Sequence, residues 1–162
     1  MLIQINQVDT KTVERLFAIY AESMEDLKAG FGNLEEMKSA YASFLSEFIS
    51  KPNQLVLVEV VQGVWVSGLR AIETGPGHWF LEAVETMPAQ RRKGCGEMLL
   101  HHTVDYLQRI GMKDVSCTIS KQNAASQALH GKCGFTATGE PPVNPWGELE
   151  DGTILFRFGR KR

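Results

Sequence analysis

The stretch that decides the reading is Thr86-Met87-Pro88-Ala89-Gln90-Arg91-Arg92-Lys93-Gly94-Cys95-Gly96-Glu97-Met98-Leu99-Leu100. A strand ends at Thr86, a proline-containing turn follows, and a helix starts at or near Gly94. Three consecutive cations, Arg91, Arg92 and Lys93, stand before two glycines spaced by one residue. Glycine lets the chain turn tightly and lets an anion approach the backbone closely. A helix start adds unpaired N–H donors and a partial positive charge. Together these make a natural seat for a pyrophosphate. A nucleoside-triphosphate loop fits less well, because Gly96 is followed by Glu97-Met98 where Lys-Ser/Thr is required. A dinucleotide fingerprint lacks its third glycine near Leu99. On spacing alone, a basic turn that merely caps a helix remains an equal alternative.

Downstream of the turn, Met98, Leu99, Thr103, Val104, Leu107 and Ile110 repeat at helical spacing, and Gly111 closes the helix. Lys113 to Ile119 reads as a strand, Asn123 to about Cys133 as a helix stopped by Gly134, and Thr153 to Phe158 as a last strand. Upstream, Leu55 to Val61, Val64 to Ile72 and His78 to Thr86 are separated by Gln62-Gly63 and Gly75-Pro76-Gly77. They predict an antiparallel meander. Before it, Leu2, Ile3 and Ile5 suggest a short strand. Asp9 or Thr10 caps a helix carrying Val13, Leu16, Phe17, Tyr20 and Met24, broken by Gly30 and Gly32. Asn33 with Glu36 opens a second helix that ends at Lys51-Pro52. The order β-α-α-β-β-β-α-β-α-β-β predicts an α/β fold. Its mixed sheet has antiparallel front strands, then a β-α-β crossover with parallel strands, and is flanked by helices. No linker or repeat divides residues 1–162, so one domain is expected.

Composition narrows the function classes. The chain has 162 residues, 43% hydrophobic and 22% charged, with net charge −2. That length buries a sizeable core unaided. There is no global basic field of the kind that holds nucleic acid, and the basic end from Arg157 to Arg162 is too short to change this. Cys95, Cys117 and Cys133 are odd in number and widely spaced, which speaks against a disulfide framework and against zinc. His101 and His102 are adjacent and point about 100° apart on a helix, so they do not form a metal pair. No apolar run approaches membrane-spanning length, and no signal-peptide pattern opens the chain. No metal, nucleic-acid or membrane partner is expected, and the address expected is cytoplasmic.

Arg91-Arg92-Lys93-Gly94-Cys95-Gly96 resembles the Arg/Gln-x-x-Gly-x-Gly/Ala motif of the GNAT acetyltransferase superfamily. Downstream, Asn123-Ala124-Ala125-Ser126, Ala128-Leu129 and Gly134-Phe135 are similar to that family's Asn-x-x-Ala/Ser…Leu-Tyr-x-x-x-Gly-Phe helix. Either element alone is weak, but the pair in register from Thr86 to Phe135 is specific. The resemblance implies acetyl-CoA as co-substrate, lying where the strand before the turn and the strand after the long helix splay apart. It implies that Val84, Glu85 and Thr86 face the pantetheine arm and that the Thr86 N–H polarises the thioester carbonyl. It also implies that Arg92, Lys93, Gly94, Cys95, Gly96 and Glu97 surround the pyrophosphate, with Arg91 supporting the turn. Asn123 and Ser126 stand on the opposite side of the arm. Family members are often dimers, so the resemblance allows a homodimer.

Chemistry of the transfer adds three candidates. An amine must lose a proton on attacking a thioester, and a carboxylate can take it. Glu82 and Glu85 are the candidates, with a solvated or salt-bridged strand carboxylate as the alternative for either. Plain alternation puts them on opposite faces of the strand, though a bulge would change that. His130 occupies the position where the family pattern has Tyr, the acid that protonates the departing thiolate. Imidazole can do this, or relay a proton from the amine. Cys95 reads as a filler of a variable motif position rather than a nucleophile. The loop from Gly139 to Gly152 carries Glu140, Glu148, Glu150, Asp151 and Trp146. With Glu22, Glu25 and Asp26 it suggests an acidic rim that favours cationic acceptors. The expected function is direct transfer of an acetyl group from acetyl-CoA to a primary amine of a small molecule or peptide. The alternative is a non-catalytic acyl-CoA-binding module.

Overall fold

The computed structural model describes residues 1–159; the last three residues of the basic end lie outside the described residues. β1 (Leu2–Gln4) leads to α1 (Thr10–Ile19), α2 (Ala21–Leu27) and α3 (Leu34–Ser50). The meander β2 (Gln54–Val61), β3 (Val64–Gly75) and β4 (His78–Thr86) follows. α4 (Cys95–Arg109), β5 (Asp114–Ser120), α5 (Ala124–Lys132), β6 (Phe135–Ala137) and β7 (Thr153–Phe158) complete the chain. All seven strands form one sheet in the order β1-β2-β3-β4-β5-β7-β6. Among the described residues only β4 and β5 run parallel, as the crossover through α4 requires. The expected mixed α/β architecture is present.

The local signals act as their chemistry dictates. Asp9 accepts the Thr12 N–H at 2.8 Å and starts α1. Asn33 accepts the Glu36 N–H at 2.8 Å and starts α3, while Glu36 reaches back to the Gly32 N–H. The β2–β3 turn takes positive φ at both Gln62 and Gly63 (50° and 78°), the geometry that matches strand twist. One expectation needs correction. The first helical stripe is not one helix, because α1 ends at Ile19 and α2 restarts at Ala21, with Tyr20 between them at φ −93°, ψ 23°. The stripe stays apolar across the break, since both Tyr20 and Met24 are buried. Periodicity therefore persists where the helix does not.

Two apolar clusters sandwich the sheet. One joins Leu99, Leu100, Val104 and Leu107 of α4 to Leu57, Leu69, Leu81, Val115 and Phe156. The other joins Leu16 and Ile19 of α1, Met24 of α2, and Met37, Leu45 and Phe48 of α3 to Val56, Val58 and Ile72. Glu59, fully buried in β2, is paired on two sides, by the Met1 amino group at 2.8 Å and by His102 Nδ1 at 2.8 Å. Such double pairing offsets the cost of a buried charge, and it gives His102 a structural role. No helix among the described residues is long and apolar enough to cross a membrane.

Candidate functional site

The site originates in a sheet that stops pairing. β4 and β5 are joined only at His78, Trp79 and Phe80 against Asp114, Val115 and Ser116. β4 then continues to Thr86, and β5 continues to Ser120 while pairing β7 on its far edge. The facing edges of β4 and β5 splay apart beyond Phe80 and Ser116. Two cavities open at that gap, of about 600 Å³ and about 820 Å³, and they share Val84, Glu85, Asn123 and Ser126. Met87 donates its N–H to Val66 O on β3, and the Glu85 carbonyl accepts from Ser67 Oγ, also on β3. Backbone groups alternate along an extended strand, so the Thr86 N–H between them points to the opposite edge, into the gap.

The larger cavity is built around the quoted turn. Arg92 (φ 61°) and Gly94 (φ 78°) are left-handed and curl the backbone into a concave nest before α4. Gly94 caps α4 without a side-chain hydrogen bond, and the first intrahelical bond at this end is Met98 N–H to Gly94 O. The N–H groups of Cys95, Gly96 and Glu97 therefore have no helical acceptor, as at any helix start. Arg91, Arg92, Gly94, Cys95, Gly96 and Glu97 line this cavity. Arg91 is ion-paired with Glu22 of α2, tying the turn to the opposite wall. Lys93 does not line the cavity; its Nζ turns to Gln90 Oε1 at 3.5 Å. The Cys95 thiol is buried, and burial raises its pKa, which removes nucleophilic character.

Gly96 has a packing reason beside the one its motif suggests. A Cβ there would stand 3.1 Å from Leu129 Cδ2 and 3.4 Å from Thr86 Oγ1. The glycine lets α4 dock closely on α5 and β4. Sequence reasoning also missed Lys132, which lines the larger cavity with Ala125, Ala128 and Leu129. Their i, i+3 and i+4 spacing after Asn123 was the available signal.

At the junction, Glu85 and Glu82 lie on the same face of β4, contrary to plain alternation. Ala83 takes φ 52°, and the register with β3 slips between Gly68 and Arg70. This bulge inserts one residue and turns Glu85 back toward the α1–α3 side. Glu82 is held by Arg70 Nε at 2.7 Å. Glu85 Oε1 accepts from Ser23 Oγ of α2 at 2.6 Å, while its Oε2 is buried without a partner. Burial raises the Glu85 pKa, with the Ser23 hydrogen bond opposing.

His130 is buried on α5 and packs edge-on to Phe135. Its Nδ1 is 2.8 Å from the Ser126 carbonyl, which can only accept, so Nδ1 carries the proton. That leaves Nε2 a bare lone pair, buried and unpartnered, on a side chain that lines the smaller cavity. Burial lowers the His130 pKa, with the Ser126 hydrogen bond opposing. Asn123 caps α5 by accepting the Ser126 N–H at 3.0 Å, and it faces both cavities.

The smaller cavity has an apolar wall from α2, α3 and the turn between them, chiefly Met24, Leu27, Phe31, Met37, Tyr41 and Phe44. Here the acidic-rim expectation is overturned. No residue from 139 to 152 lines either cavity. Glu140 pairs with Arg157, Glu150 accepts from Thr118 Oγ1, and Trp146 points to solvent at 61% exposure. Glu25 pairs with Lys28, and Glu22 serves the turn through Arg91. Glu140, Glu25 and Glu22 are ion-paired, and of these acidic groups only Glu22 lines a cavity, on the side of the basic turn. Arg70, absent from the sequence-level candidates, lines the smaller cavity instead.

The residues present suit coenzyme A: a gap between splayed strands, a nest with free N–H groups and flanking cations, and orphaned polar atoms where the two cavities meet. Comparison with known proteins agrees. A family model described as Acetyltransferase (GNAT) family matches residues 14–135. A Salmonella typhimurium L-methionine sulfoximine/L-methionine sulfone acetyltransferase is 40% identical over 60 residues, 37% of this chain and 35% of that protein. The match thus spans about a third of that relative's length. The PaiA N-acetyltransferase of Thermoplasma acidophilum, solved with coenzyme A, superposes with a TM-score of 0.69 at 14% identity, over 97% of this chain and 98% of the other. An aminoglycoside 6'-N-acetyltransferase, also with coenzyme A, superposes with a TM-score of 0.68 at 14% identity, over 97% and 95%. Those two likenesses concern the fold. With the family model covering most of the chain, and the turn, the splay and the Asn123 helix standing where the motifs place them, the chain belongs to the GNAT acetyltransferase family.

Proposed function

We propose that the protein is an N-acetyltransferase that moves an acetyl group from acetyl-CoA to a primary amine by direct attack. The observation that carries this reading is the meeting of the two cavities at Glu85 and Ser126, in the gap where β4 and β5 part. The thioester supplies an activated acyl carbon. The Val84 to Thr86 edge and Asn123 hold the pantetheine arm, and the nest from Arg92 to Glu97 holds the pyrophosphate. The Thr86 N–H, aimed into the gap, donates to the carbonyl oxygen as negative charge develops there.

Glu85 is the better base of the two carboxylates. Its Oε1 accepts from the neutral Ser23 hydroxyl and its Oε2 has no partner, whereas Glu82 is ion-paired with the Arg70 cation, which lowers its basicity. An ammonium acceptor gives one proton to Glu85, which later returns it to solvent. The freed nitrogen attacks, forming the C–N bond as the C–S bond breaks. The nitrogen's second departing proton passes to His130 Nε2 and from there to the sulfur, leaving amide and thiol. His130 thus protonates the thiolate with a proton acquired during the reaction. Its resting lone pair and lowered pKa suit that order better than a standing acid.

The test is thiol release from acetyl-CoA across a panel of primary amines, with Glu85→Gln as control. Turnover lost in the variant at unchanged CoA affinity is expected. Tight CoA binding with no turnover for any amine overturns the proposal in favour of an acyl-CoA-binding module.

A further inference from the structure

The smaller cavity is polarised in a way that describes its guest. Toward the junction with the larger cavity it is lined by Glu85 and His130, whose Oε2 and Nε2 are buried and unpartnered acceptors. Away from the junction it presents a cation. Arg70 stands on β3 opposite Glu82, two residues along from Gly68, which pairs with Glu85. Two residues of strand span ~6.6 Å, a distance within reach of one small molecule carrying two polar groups. The Arg70 guanidinium lies 5.0 Å from the centre of the Phe44 ring and 5.8 Å from that of Phe48, so the aromatic wall of α3 holds its plane. Only its Nε is hydrogen-bonded, to Glu82; the terminal nitrogens have no acceptor among the described residues. Arg70 and Glu82 are each only 21% exposed. A half-buried guanidinium with its terminal nitrogens free is shaped to take a carboxylate through parallel N–H bonds. Tyr20 adds a donor: its hydroxyl is buried without a partner, above Gly68, where a Cβ would come within 3.3 Å of it. The α2–α3 wall offers Met24, Leu27, Phe31, Met37 and Phe44, a mainly apolar surface interrupted by Tyr41, while Thr118 and Ser120 line the β5 side.

We infer that the acceptor is a free α-amino acid with an apolar side chain, its carboxylate bound by Arg70, its amine beside Glu85 and its side chain against the α2–α3 wall. This rests on the acetyltransferase reading and narrows it. It also replaces the cationic acceptor expected from the acidic loop, since a polyamine would set a second positive charge against Arg70 on an apolar wall.

The experiment pairs amino acids with the same molecules lacking the carboxylate: L-leucine with isoamylamine, L-methionine with 3-(methylthio)propylamine, and L-phenylalanine with 2-phenylethylamine, alongside spermidine. In the wild-type protein at least one amino acid should exceed its partner amine by ~100-fold or more in kcat/KM, because a site built to bond a polar group rejects the analogue lacking it. Arg70→Gln should collapse that ratio, chiefly through KM of the amino acid. Arg70→Lys should restore part of it, keeping charge without the fork. Calorimetric binding of the same pairs to the CoA-saturated protein gives a readout independent of turnover. Carboxylate-dependent binding without turnover would sustain the inference while overturning the enzymatic reading. Amines or spermidine used or bound as well as every amino acid, or Arg70→Gln weakening both members of each pair equally, would overturn the inference itself.

Discussion

Glu85 and His130 differ from ordinary surface residues in one respect: each presents a buried polar atom that no protein group satisfies. Leaving such atoms unpaired costs stability, which is sustainable where a substrate completes them. Glu85→Gln should lower kcat by ~10²–10⁴-fold, the usual worth of positioned proton transfer, with the CoA-induced thermal shift retained. Burial raises the Glu85 pKa. The acid limb of kcat/KM should therefore fall at a higher pH than an ordinary carboxylate would give, and disappear in Glu85→Gln. His130 also predicts a stability effect. Its folded pKa is lowered, so the unfolded chain takes the proton first as pH falls. The stability tied to neutral His130 is fully present above ~6.5 and lost as pH drops through the folded value. His130→Phe keeps a ring against Phe135, and its melting temperature should fall less than wild type's between about pH 7.5 and 5.5. Equal declines would mean that His130 is not held neutral by burial. In turnover, His130→Phe should be slowed at unchanged CoA affinity, and His130→Tyr should recover part of the loss.

At the scale of elements, the bulge in β4 and the docking of α4 on α5 place the chemistry. Ala83 adopts φ 52°, a conformation that costs a residue with a Cβ ~1–2 kcal/mol. Ala83→Gly should raise stability by about that order at most and leave the faces unchanged. Deleting Ala83 removes the inserted residue and sends Glu85 to the α4 face. Activity should be abolished even where circular dichroism shows a folded chain; retained activity would mean the bulge does not position the base. Gly96→Val drives a branched side chain into Leu129 and Thr86. It should destabilise the fold by ~1–3 kcal/mol, the usual cost of overpacking, and weaken CoA binding. Adding Leu129→Ala should recover stability, which a purely phosphate-blocking effect would not do.

For the molecule as a whole, binding in the gap couples to folding. A ligand at one hundred times its dissociation constant stabilises the folded state by about 2.7 kcal/mol. In a domain of this size that corresponds to a rise in melting temperature on the order of 5–10 °C. Acetyl-CoA should produce a shift of this size; NAD and ATP should produce little. A larger shift with either nucleotide would return the turn to a generic phosphate site.

Most of the framework was legible along the chain because its causes are local. The caps at Asp9, Asn33 and Asn123, the glycine stops and the apolar periods set the elements. The adjacency of Arg91 to Gly96 with Asn123 to Phe135 marked the cofactor side. A helix start and its preceding nest are made by consecutive residues, so sequence displays them directly. The smaller cavity was not legible, because it is assembled from α2, α3, β3 and β4, and Tyr20, Ser23 and Arg70 carry no signal of convergence until those elements pack. The acidic loop looked functional by composition, yet Arg157, Thr118 and solvent absorb it. Face assignment failed for the same reason: alternation is a rule of an unbroken strand, and a single inserted residue at Ala83, tolerated only because β3 shifts its register to match, reversed it. Sequence by itself determined most of the elements and the glycine turn before α4, whose geometry is short-range. Only tertiary packing decided which charges face the cleft, because pairing between distant residues sets which of them are neutralised.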